Sequence, residues 1–252
     1  MAWVIRVGVF GAGGRMGSTV CAAVSADPEL ELAGAVDPSH LGETIEGVTV
    51  TERMPAVDVV VDFTEVDAAR ENLRWAAENG VHAVVGTTGF TAHDHELFAT
   101  IFSDSNCVIA PNFAIGAVLM MRMAELAAPF FDTAEVIELH HDAKRDAPSG
   151  TAMLTAERMA AAKQSWAPDP TEQHVLPGAR GGTGPAGIHV HAVRMRGVVA
   201  NQEVILGTTG QTLTIRHDTT DRSCFMPGVL LAVKRVVSRP GVTVGLDALL
   251  EL

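Results

Sequence analysis

The sequence predicts an α/β protein: a doubly wound parallel sheet in the N-terminal part, followed by an α+β domain with a mixed, open sheet. Three observations predict it. Short β-branched runs alternate with helix-period segments up to Phe113, a glycine-rich turn follows the first of these runs, and strand-like runs predominate from Ala134 onward.

In "WVIRVGVFG", Val4, Ile5, Val7 and Val9 make a short apolar run closed by glycine, the pattern of a buried parallel strand. Met16, Val20, Ala23 and Val24 then recur at helical spacing, and "ADPEL" ends that helix before a second strand, "LELAGAVD". The unit repeats as strand "VDVVVDFT", helix "AARENLRWAAENG", strand "VHAVVGTTG", helix "AHDHELFATIFSDS" and strand "CVIAPNF". Right-handed crossovers turn such alternation into a doubly wound sheet. A Met- and Leu-rich helix over about Ala114 to Phe131 is expected to pack its methionines and to lead into the second domain.

There the chain reads as strand "AEVIELHH", a helix from Thr151, a Pro/Gly-rich stretch "PGARGGTGPAG", and strands "IHVHAVRMR", "QEVILGTT" and "TLTIRHD". The amphipathic "MPGVLLAVKRVV" is expected to return as a helix covering the first sheet, with "VTVGLDALLEL" as a terminal segment. This places one domain at residues 1–113 with 223–252, and the other at 114–222.

Composition narrows the function. A net charge of −12 disfavours nucleic acid and anionic membrane surfaces as partners, so an anionic ligand needs a local basic pocket. No apolar run reaches the length of a membrane span, and the N-terminus lacks the features of a secretory leader, so a cytoplasmic location is expected. Cys21, Cys107 and Cys224 are scattered without metal-ligand spacing and read as buried thiols, with no metal implied.

"GAGGRMG", Gly11 to Gly17, lies between the first strand and first helix. Its GxxGxxG spacing departs from GxGxxG, yet it still offers a tight turn, close backbone approach and an open helix N-terminus for a pyrophosphate. Asp37 ends the second strand, where a carboxylate accepts from the ribose hydroxyls of a dinucleotide. The combination predicts a Rossmann-like domain holding a nicotinamide cofactor. Asp37 favours NADH by repelling the 2'-phosphate of NADPH, while Arg15 can partly neutralise that phosphate, so both cofactors stay open. "GTTG" at Gly86 to Gly89 and "APNF" at Ala110 to Phe113 end later strands, on the edge where such sheets bind ligands.

The densest chemistry is "ELHHDAKRDAPSGTA", Glu138 to Ala152. Neighbouring residues on a regular strand face opposite ways, so His140 and His141 are not expected to share one cleft, and one of them can simply pack. Lys144 follows in a loop, where its ammonium can converge with an imidazole on one small site, whereas Arg145 reads as solvated. "DAPSGT" opens a helix whose N-terminal amides suit a carboxylate; Ser149 or Thr151 equally suits an ordinary helix cap.

These motifs, with "VVDFT", "GTTGF", "APNFAIG", "LPGARG" and "GQTLTIRHD", resemble the 4-hydroxy-tetrahydrodipicolinate (dihydrodipicolinate) reductase family, its actinobacterial members in particular, over nearly the whole chain. The resemblance implies NAD(P)H-dependent reduction of a cyclic dicarboxylate in the diaminopimelate route to lysine, by a homotetramer whose second domain forms the inter-subunit sheet. It implies His140 as proton donor or acceptor and Lys144 as a second proton donor, with their division of labour open. It further implies His141, Gly150 and Thr151 as contacts to the substrate carboxylates. For NADH or NADPH it implies Gly11, Ala12, Gly13, Gly14, Arg15, Met16, Asp37, Gly86, Thr87, Thr88, Ala110, Pro111, Asn112 and Phe113. Pro38 stands where a basic residue would select NADP, which argues against strong NADP selectivity. Another Rossmann-type dehydrogenase would share the glycine loop and Asp37 without needing the histidine cluster, and a non-catalytic NAD sensor would turn over no substrate.

Overall fold

The computed structural model describes residues 4–251, so the first three residues of the leader reading lie outside the described residues. Two compact units emerge: the chain up to Ile115 together with the chain from Arg222 onward, and Gly116–Asp221 between them.

The first unit contains β1 (Ile5–Phe10), α1 (Arg15–Ala26), β2 (Leu30–Val36), β3 (Thr44–Ile45), β4 (Val48–Thr51), β5 (Val59–Asp62), α2 (Val66–Glu78), β6 (His82–Val85), α3 (Ala92–Ile101) and β7 (Cys107–Ile109). The second contains nearly all of α4 (Ile115–Ala127), then β8 (Thr133–His140), α5 (Gly150–Ala162), β9 (Gly182–Thr183), β10 (His189–Arg194), β11 (Ala200–Thr208) and β12 (Gln211–Thr219). The first unit resumes with α6 (Met226–Val236), β13 (Val242–Val244) and α7 (Asp247–Leu250).

The first sheet runs β13-β7-β6-β5-β1-β2-β4-β3 and is parallel except where β3 meets β4. Central strands such as β5 are buried along their whole length, as expected of a sheet covered on both faces. The strand order reverses between β1 and β5, so their carboxyl ends open the crevice in which α/β sheets bind ligands. The β3–β4 hairpin and β13 were not read in the sequence as strands; β13 lengthens the sheet by parallel pairing with β7.

Gly228 explains how α6 settles into this unit: a Cβ there would lie 2.1 Å from the Phe113 carbonyl oxygen, so only glycine lets helix and loop come this close. Val229, Ala232, Val233 and Val236 form its buried face, each valine worth about 1.5–3 kcal/mol on burial by the area rule.

The second sheet, β12-β11-β8-β10-β9, is mixed: β10 runs parallel to β8, while β11 is antiparallel to both β8 and β12. Ala152, Ala156 and Met159 of α5 pack with Val136, Val190, Val204 and Leu206 in its core. The Met-rich helix is shorter than expected, with α4 ending at Ala127 before a 3-10 turn at Ala128–Phe130. Met120 and Met121 are buried as packing residues, but Met123 is exposed. Cys21 and Cys107 are buried, and burial pushes the Cys21 thiol up to about 12; Cys224 is only half-buried. Among the described residues, no helix is long and apolar enough to cross a membrane.

Candidate active site

The glycine loop joins β1 to α1 at the crevice. Gly11 has a φ of +70°, a conformation open to glycine, and a Cβ on Gly17 would fall 1.9 Å from the Gly11 carbonyl oxygen. These two glycines therefore let the first turn of α1 rest directly on the loop, leaving its N-terminus toward the crevice. A cleft of about 1040 Å³ opens here, lined among others by Gly11, Gly14, Asp37, Arg53, Phe63 and Thr64. Its size and open backbone fit a dinucleotide.

Asp37 is buried at the end of β2 and already engaged: Gly13 N–H donates to Oδ2 at 3.0 Å and Ser39 N–H to Oδ1 at 2.9 Å. Burial works to raise its pKa, but these amides and His40, 3.2 Å away, outweigh it and hold the carboxyl below its ordinary range. The carboxylate thus braces the glycine loop as well as facing the cleft. Pro38 lines the same cleft beside it. Arg15 is exposed at the first position of α1, Met16 is half-buried and Ala12 is buried.

Gly86, Thr87 and Thr88 follow β6, and Ala110 to Phe113 follow β7, at the same carboxyl edge of the sheet. They do not line the cleft just described. Thr87 turns its hydroxyl inward to donate to the Thr64 carbonyl at 2.8 Å, while Thr88 is exposed. Ala110 is buried, Pro111 exposed, and Asn112 Oδ1 accepts from Ala114 N–H at 2.8 Å. The Phe113 ring meets Phe63 with 5.7 Å between centroids.

Asp62 was not singled out in the sequence, yet it organises this edge. It is 1% exposed and accepts from Thr64 N–H (2.8 Å), Thr64 Oγ1 (2.7 Å) and Asn72 Nδ2 (2.7 Å). A buried carboxylate needs such a set of donors to offset its desolvation. The terminal Asp of "VVVD" was the available signal.

In the second unit, β8 delivers Glu138 and His140 to one face, because alternate strand residues point the same way. Glu138 is fully buried. Its carboxylate accepts a parallel fork from Arg194, Nη1 to Oε2 and Nη2 to Oε1, both at 2.8 Å. Oε2 also meets His140 Nδ1 at 2.5 Å, and Oε1 accepts the Ser149 amide at 3.0 Å. Burial acts to raise Glu138, but Arg194, His140 and Ser149 more than compensate, so its carboxyl lies below the usual range. His140 is lowered: burial is the largest cause, Lys144 and Arg194 add to it, and Glu138 opposes. The imidazole is accordingly neutral near pH 7.

Lys144 pairs with both oxygens of Asp146 at 2.8 Å, and Arg194 Nη2 donates to the Asp146 carbonyl at 2.6 Å. His141 falls one residue beyond β8 and is half-buried, its carbonyl accepting from Lys144 N–H at 3.1 Å; the strict alternation of a strand does not govern it. Arg145 is exposed. Ser149 is the N-cap of α5, accepting from Ala152 N–H at 3.2 Å, so the cap reading is realised at this residue. Gly150, not Thr151, is the first helical residue; it is exposed, with open space where a side chain would be. Arg194 and Glu138 were the residues missed. Glu138 carried a signal, two positions before His140 on the same strand, whereas Arg194 lies far off in sequence on β10, paired in register with His140.

Comparison with known proteins decides the family. The model of the dihydrodipicolinate reductase N-terminus matches residues 5–113, and that of its C-terminus residues 116–250. The chain belongs to the dihydrodipicolinate reductase family. As a member of this family it is an oxidoreductase. It is 51% identical to the 4-hydroxy-tetrahydrodipicolinate reductase of Mycobacterium marinum over 98% of this chain and 100% of that protein. It is 49% identical to that of Corynebacterium urealyticum over 99% and 100%. Among solved structures it resembles the dipicolinate-bound dihydrodipicolinate reductase of Paenisporosarcina sp. TG-14, at 35% identity and a TM-score of 0.84, over 97% of this chain and 99% of that one.

Proposed function

We propose that this reductase converts 4-hydroxy-tetrahydrodipicolinate to tetrahydrodipicolinate in the diaminopimelate route to lysine, in the cytoplasm and as a homotetramer. The first unit takes the nicotinamide cofactor and the second the dicarboxylate. The observation that carries this reading is the convergence of His140, the start of α5 and the Lys144 loop on one anchored network within the second unit. A relative of 35% identity binds dipicolinate, a planar dicarboxylate, which supports the same substrate class here.

The glycine loop and α1 N-terminus would hold the cofactor pyrophosphate, and Asp37 the ribose hydroxyls, with Gly86 to Thr88 and Ala110 to Phe113 completing the site. A nicotinamide cofactor supplies the hydride when bound. Asp37 favours NADH, while exposed Arg15 and cleft-lining Arg53 leave NADPH acceptable.

At the substrate, the backbone amides at Gly150 and Thr151 face one carboxylate and His141 contacts the other. A dianion beside His140 favours the imidazolium form, so substrate binding itself loads the neutral imidazole with the proton it then delivers from Nε2. Lys144 leaves its pairing with Asp146 to stabilise developing charge or protonate a departing hydroxyl.

The test is NADH oxidation by the purified protein, supplied with the condensation product of pyruvate and aspartate semialdehyde. Turnover is expected, with a loss of about 10² to 10⁴ in the His140→Gln variant while NADH binding persists. No turnover by the unaltered protein overturns the reading.

A further inference from the structure

We propose that Glu138, locked by Arg194, is a positioning residue that fixes the tautomer of His140, so that the proton exchanged with substrate resides on Nε2. The inference rests on the reading of His140 as the proton carrier. Three relations carry it. First, Glu138 is fully buried and its two oxygens meet three neighbours, Arg194, His140 and the Ser149 amide. Two of these can act only as donors, so Oε2 remains an acceptor toward the imidazole, which must present Nδ1–H to it.

Second, among the described residues the charged groups acting on His140 are Glu138 on its own strand, Arg194 from β10 and Lys144 from the following loop, and Glu138 is the one that meets a ring nitrogen. Arg194 and Lys144 are cationic donors and cannot accept a proton from the ring. Glu138 is therefore the one group of this set able to select a tautomer. Third, the same carboxylate binds the amide at the N-cap of α5 through Oε1. The imidazole and the proposed carboxylate-binding turn are thus referenced to a single rigid group, itself clamped by a bidentate guanidinium whose second nitrogen also holds the Asp146 carbonyl. A carboxylate that orients a general acid–base histidine in this way gains rate by keeping the ring in one protonation pattern and one orientation.

Glu138→Gln preserves shape but can present an N–H toward Nδ1, which would favour the opposite tautomer. We would record ¹⁵N spectra of histidine-labelled protein, identify His140 among the ten histidines by its absence in His140→Gln, and measure kcat and KM in parallel. In the unaltered protein at pH 8, a protonated Nδ1 and a bare Nε2 are expected; an Nε2–H tautomer overturns the proposal whether or not the variant folds. Glu138→Gln is expected to lower kcat about 10²-fold, with the NADH KM unchanged and the His140 tautomer altered. A loss below twofold, or a loss with the tautomer unchanged, overturns it. If His140→Gln itself keeps full turnover, the reading of the active site fails instead, and the ¹⁵N result on tautomer selection is unaffected.

Discussion

Arg194 and Glu138 meet as a two-pronged ion pair across adjacent parallel strands, with the Glu138 carboxylate fully buried. Removing Arg194 strands a buried carboxylate, which costs far more than losing an exposed pair. Arg194→Met should therefore destabilise the second unit by about 3 kcal/mol, read as a lower urea midpoint, and the double variant Arg194→Met/Glu138→Met should recover part of it. Additive losses in the double variant would show that the pair is not coupled.

The pH dependence of stability follows from three histidines. His82, His140 and His217 all have pKa values lowered by burial. Each is neutral when folded yet charged when unfolded between its folded pKa and the unfolded value near 6.5. Unfolding takes up protons in that window, so stability is full above about pH 6.5 and falls as pH drops through the folded values. His82 Nδ1 accepts the Asn106 amide at 2.9 Å, a bond that only a deprotonated Nδ1 can make. Urea midpoints from pH 7.5 to 5 should fall, and His82→Asn, which keeps an acceptor, should flatten the slope.

Asp37→Ala should weaken NADH binding by about 1–3 kcal/mol if the carboxylate holds ribose hydroxyls. Because Asp37 also accepts from Gly13 and Ser39, some loss through a loosened loop should appear with both cofactors. Titration should show a smaller loss, or a gain, for NADPH. Equal losses would restrict Asp37 to bracing the loop.

Pyridine-2,6-dicarboxylate should inhibit competitively with substrate, and the monocarboxylate should bind about 1–2 kcal/mol worse, since the α5 N-terminus would then face no anion. Lys144→Ala should weaken the dicarboxylate and reduce its salt sensitivity. Identical inhibition constants for the two acids would leave Ser149 and its neighbours with capping alone.

The alternation of strands and helices was legible because each central strand is apolar throughout and each helix keeps one apolar face, signals that are local in sequence. The β3–β4 hairpin escaped because its strands are two and four residues long. β13 escaped for a similar reason: its three residues sit between Gly241 and Gly245 and none is fully buried, so it has no core face to read. In the site, His140 and Lys144 share one segment and were readable together. Arg194 was not, because its partner is 56 positions away and only strand pairing brings them into register. Thr87 shows the converse case: a motif marks the residue, but only the fold reveals that its hydroxyl points inward.

The close seating of α6 on Phe113, allowed by Gly228, also has a meaning for synthesis on the ribosome. Strands β1 to β7 leave the ribosome first, yet the helix and edge strand that complete their sheet are translated only after all of Gly116–Asp221. The nascent first unit must wait with β7 unpaired on one side and with the surface later covered by Val229, Ala232 and Val233 still wet. The second unit, continuous in the chain, can fold during that wait. A released chain truncated before Met226 should thus protect the second sheet from limited proteolysis while leaving the first susceptible.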